Sequence, residues 1–171
     1  MHRCWLIVAT ALFAAHVGAQ DLPKMKAGLW ESTTSSSGPK GAAGSSMKLT
    51  MCVDDKMQKD MMAFSQNMGA QCAKNTVRRD GNKIYGDAEC SMGKMTVKSQ
   101  SVTTFSGDAS YRTEVKSSFV PAMAGMSESS TVVQARHVGA CPANMKPGDM
   151  NMNGRVMNIN DIAKMMKGAP K

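Results

Sequence analysis

From Gly28 to Val138 the chain alternates apolar and polar residues in short runs broken by turn residues. That period of two is the mark of half-buried β-strands. Gly28 to Thr34 is the first predicted strand, and Ser35 to Ser46 (SSSGPKGAAGSS) is a turn-rich loop. Met47 to Cys52 alternates and predicts a second strand. Asp54 then takes the place of a helix N-cap, with Met57, Met61, Met62 and Phe64 at helical spacing and Gly69 at the end. Cys72–Arg79 and Lys83–Cys90 flank Asp80-Gly81-Asn82 and predict a hairpin. Met95–Phe105 is a longer strand, turned at Ser106-Gly107-Asp108. The clearest pattern follows: Tyr111, Thr113, Val115, Ser117 and Phe119 face one way, and Arg112, Glu114 and Lys116 the other. Pro121 to Gly125 breaks it, and Ser127–Val138 is a last strand.

The ends differ. Met1 to Ala19 has a basic start (His2, Arg3), an apolar run from Trp5 to Ala15 and small residues Val17-Gly18-Ala19 ahead of Gln20. This is the layout of an export signal, and the expectation is cleavage near Ala19 and a periplasmic or secreted protein. The run is shorter than the roughly 20 apolar residues of a membrane span. Cys141 to Gly154 is rich in Pro, Gly and Asn and predicts irregular chain. Beyond it, Asn158 or Asn160 caps a short amphipathic helix with Ile159, Ile162, Met165 and Met166. The expected organisation is a signal peptide over 1–19, a β-rich domain over 20–142 and an irregular tail with a short helix over 143–171. The fold class is mainly β. It is an antiparallel, up-and-down curved sheet or open barrel of about seven strands, with one inserted helix and a short C-terminal helix.

Export changes the meaning of the cysteines. Of the 5 in the chain, Cys4 falls in the signal, leaving Cys52, Cys72, Cys90 and Cys141. An even number in an exported chain predicts disulfides. Cys72 and Cys90 lie symmetrically about Gly81 and would face each other across a regular hairpin, which leaves Cys52 with Cys141. The rival pairing is Cys52–Cys72 with Cys90–Cys141, and both remain open on sequence. Bridges matter here because the predicted inward faces hold much Ser, Thr, Ala and Met and little Leu or Phe.

Lys26-Ala27-Gly28-Leu29-Trp30-Glu31 resembles the "pGLWE" opening of the domain of unknown function 3617 family. Cys52-Val53 ahead of an acidic helix, the Cys72 and Cys90 hairpin, and the stretch from Gly139 to Met150 (GACPANMKPGDM) are similar to it as well. The resemblance implies a small exported β-rich protein of Gram-negative bacteria, and it carries no catalytic residues.

The net charge of +8 loses one with Arg3, and the basic residues are scattered, Arg78-Arg79 being the one adjacent pair. Aromatics at 5% are too few for base-stacking platforms, so nucleic acid is not an expected partner. No Cys-x-x-Cys or paired histidines support zinc. His137 is the one histidine beyond the signal and the last-ranked base for a hydrolase; Asp54-Asp55 fits a capping role, and no catalytic residue or cofactor is expected. Methionine is the outlier, 18 of 171 residues. It suits adaptable apolar packing, and Met92/Met95 and Met123/Met126 are the pairs that could chelate Cu(I) or Ag(I) as soft thioethers. The leading expectation is a non-catalytic binding or envelope-associated module for a small apolar ligand. Methionine-based copper binding is the alternative.

Overall fold

The computed structural model describes residues 23–37, 44–69 and 72–161. The expected export signal, and Ile162, Met165 and Met166 of the expected C-terminal helix, lie outside them; residues 159–161 are helical. The described chain forms one antiparallel sheet of nine strands with one long helix. In chain order these are β1 (Gly28–Ser37), β2 (Ser46–Val53), α1 (Asp55–Gly69), β3 (Lys74–Asp80), β4 (Lys83–Met92), β5 (Met95–Ser106), β6 (Ser110–Met123), β7 (Met126–Gly139), β8 (Asp149–Met152) and β9 (Arg155–Asn158). The sheet is open, in the order β3-β4-β5-β6-β7-β1-β2-β8-β9. A hairpin meander thus runs from β3 to β7, and β1 returns beside β7 to carry β2 and the tail strands.

Three of the differences from the pattern shape the sheet. Ser35 to Ser37 continue β1, because β7 supplies ladder partners down to Ser37↔Ser130. Pro121 sits inside β6 where the register with β7 shifts, the place a ladder tolerates a missing N–H. Cys141 to Gly154 is not wholly irregular: β8 pairs with β2 and β9 with β8, so the strand count is nine and not seven.

Partners directly opposite in a ladder share a face. One face carries Trp30, Ala135, Tyr111, Phe105 and Ile84; the other carries Glu31, Arg136, Arg112, Glu114 and Lys116. The core lies on the first face, where Trp30, Val53, Met57 and Ala135 are buried and Met25, Met51 and Tyr111 pack against them. Asp54 caps α1 as expected, its Oδ1 accepting from the Met57 N–H at 2.7 Å.

Disulfides join Cys52 to Cys141 and Cys72 to Cys90. The symmetry about Gly81 is not the reason for the second. Asp80 pairs with Lys83 across a Gly81-Asn82 turn, so the ladder is shifted by one and ends at Lys74↔Glu89. Cys72 precedes β3 and reaches Cys90 from outside the ladder, with Cα atoms 4.1 Å apart.

Candidate functional site

The GLWE segment builds the site's foundation. Gly28 has φ +132°, and a Cβ there would stand 2.2 Å from the Gly139 oxygen, so only glycine fits. Trp30 is 2% exposed, and its indole N–H donates to the Lys26 carbonyl at 2.8 Å. Glu31 points to the wet face and accepts from Arg136 Nη2 at 2.8 Å, which holds its carboxyl below the usual carboxylate range. His137 packs edge-on to Trp30, ring centroids 6.0 Å apart. Its Nε2 donates to the Ala27 carbonyl at 3.0 Å. The imidazole therefore ties the strand to the N-terminal segment.

That segment is a strap over α1. The Met25 N–H donates to Gln58 Oε1 at 2.9 Å, and Gln58 Nε2 donates back to the Met25 carbonyl at 3.0 Å. Lys24 Nζ meets Asp55 at 2.8 Å, and the Lys26 N–H donates to the Asp108 carbonyl at 2.9 Å. Strap, helix and sheet are thereby held at fixed distances without filling the space between them.

What remains is a groove of about 730 Å³ between α1, the strap and the end of the sheet where β4 begins and β5 finishes. Met25, Met61, Met62, Ile84 and Phe105 supply its apolar wall; Gln58 and Ser65 are polar, and Lys24, Asp55 and Lys59 lie at the exposed rim. Phe105 continues an aromatic file, 5.7 Å from Tyr111, which is 5.8 Å from Trp30. Burial pushes the Tyr111 hydroxyl above its ordinary range. Two other concavities, of about 420 and 570 Å³, lie largely on the charged face. Their ionic groups largely answer one another, as in Lys98–Glu89, Arg112–Glu114 and Arg136–Glu31.

The methionine pairs of the sequence stand at hairpin ends. Met92 is opposite Met95 and Met123 opposite Met126, each pair closing a two-residue turn. Met92 is 64% exposed and Met123 41%. Among the described residues no group of three or more His, Cys, Asp or Glu side chains is arranged to hold a metal ion. Met61 and Met62 were legible as an apolar helix face; Met25 was not, because no periodicity places a strap residue on a helix.

No curated protein matches the chain at a significant level. A family of proteins of unknown function, DUF3617, matches over residues 25–141, from the strap to the cysteine that closes the Cys52 bridge, leaving β8 and β9 beyond the matched stretch. With strap, GLWE strand, helix, both bridges and the whole meander inside that match, the chain belongs to the DUF3617 family.

Proposed function

We propose that the protein is an exported, non-catalytic binding module that holds an apolar ligand of the envelope, an acyl chain, in the groove between α1 and the Ile84–Phe105 end of β4 and β5. One observation carries the reading. Apolar side chains from the strap, the helix and the sheet converge there and leave space, where a core would interdigitate to close packing. The volume lies within the roughly 300–1,000 Å³ of small-molecule sites. Methionine is suited to such a wall, since its unbranched, polarizable side chain adapts to flexible apolar partners. Export is supported by the Met1–Ala19 pattern and by two bridges, which persist in oxidising compartments. Among the described residues no helix is long and apolar enough to cross a membrane.

The test is recovery of the ligand. The chain isolated from the exported fraction of its producing cell, extracted and analysed by mass spectrometry, should yield a stoichiometric acyl lipid. A Met62→Lys chain prepared in parallel should yield none. Equal recovery from both chains, or none from either, contradicts the reading.

A further inference from the structure

Strands β2, β8 and β9 set three methionines side by side. Met51 is opposite Met150, and Met150 is opposite Met157. Directly opposite residues share a face with Cβ atoms about 5 Å apart, so the three thioethers project from one surface. We propose that Met51, Met150 and Met157 bind one soft monovalent cation, Cu(I) or Ag(I).

The geometry allows convergence. The outer strands of the trio are about 9.6 Å apart, twice the strand spacing. Unbranched side chains with three rotatable bonds can lean inward across such a gap onto a shared ion. Neutral thioethers are the ligands that favour Cu(I) over harder divalent metals. The row is graded for access. Met51 packs against the buried cluster, Met150 is half-buried and Met157 is 38% exposed, so an ion enters from the β9 end.

The frame under the row is fixed. Cys141, bridged to Cys52, anchors the segment leading into β8, and the Gly148 N–H donates to the Cys52 carbonyl at 2.8 Å. Asp149, 7% exposed, accepts from the Lys146 N–H at 3.0 Å and from Asn158 Nδ2 at 2.8 Å. The Ile159 N–H closes the hairpin onto the Gly148 carbonyl at 2.9 Å. The hairpin-end pairs Met92/Met95 and Met123/Met126 each offer two sulfurs; this row offers three. The proposal is independent of the groove.

The test is titration with Ag(I), which needs no reductant and so leaves the bridges intact. The chain carries Cys4→Ser, which removes the one cysteine outside the bridges. Native mass spectrometry should give a 1:1 complex, and labelled methionine methyl resonances of Met51, Met150 and Met157 should shift together. Met150→Leu, which conserves volume, should weaken binding by at least about tenfold, the scale of a damaged metal site. Met123→Leu should leave it unchanged. Absence of a 1:1 complex, or shifts confined to other methionines, overturns the proposal. So does unchanged affinity in Met150→Leu. The methyl shifts in the parent chain decide the matter even if a variant fails to fold.

Discussion

Gly28 and His137 approach so closely that a Cβ on the glycine would stand 2.5 Å from the imidazole Nε2. The same Nε2 is bonded to the Ala27 carbonyl, so turning the imidazole aside would break that bond. The same Cβ would stand 2.2 Å from the backbone oxygen of Gly139. Gly28→Ala therefore combines a clash with a φ that L-residues avoid, and it should cost roughly 3 kcal/mol, the upper end of ordinary single substitutions. Urea denaturation of the oxidised chain checks this. A loss under about 0.5 kcal/mol, the scale of a neutral surface change, would show that the contact relaxes freely.

Trp30 is the largest side chain in the buried cluster, and it satisfies its own N–H on Lys26. Trp30→Ala should cost about 3–5 kcal/mol through the cavity it leaves. Trp30→Phe keeps part of the volume and loses the hydrogen bond, and should fall between that variant and the parent. Thermal melts followed by circular dichroism give the order.

The two bridges are unequal. The Cys52–Cys141 separation of 89 residues and the Cys72–Cys90 separation of 18 imply about 4.6 and 3.2 kcal/mol in the chain-entropy account. Replacing Cys52 and Cys141 by Ser should destabilise the chain more than replacing Cys72 and Cys90. It should also raise amide exchange over β8 and β9, which the second pair should leave protected. The reverse order would contradict this account.

Much of the meander was legible because Tyr111 to Phe119 alternate against Arg112, Glu114 and Lys116, a pattern with one dry and one wet face. The α1 cap was equally plain in Asp54. Strands β8 and β9 were not, since four-residue strands reading DMNM and RVMN show no sustained period. They are set by tertiary partners: the Cys52 carbonyl, the Asp149 carboxylate and the β2 ladder. The groove was half legible. Met61 and Met62 marked an apolar helix face, but its unfilled side depends on Gln58 holding the strap, a contact between residues far apart in sequence.

Asp149 links the tail strands to pH. Its hydrogen bonds from the Lys146 N–H, first, and from Asn158 hold its carboxyl below the usual range. A carboxyl depressed on folding contributes stability above its unfolded pKa and loses it as the pH falls through the folded value. Stability should therefore decline on acidification below about pH 4. Asp149→Asn should flatten that acid limb and leave the neutral-pH ranking of the other variants unchanged. Urea midpoints across the acid range test it; an acid limb identical in the two proteins would assign the decline elsewhere.

The groove is the central claim, and binding of a fluorescent acyl-chain probe tests it most directly. The parent chain should take up one probe saturably. Met62→Lys and Ile84→Lys, each placing a charge in the apolar wall, should lose uptake while keeping the parent's circular dichroism. Lys116→Ser, on the charged face, should bind as the parent does. Uptake that persists in both wall variants, or no saturable uptake by the parent, would contradict the account.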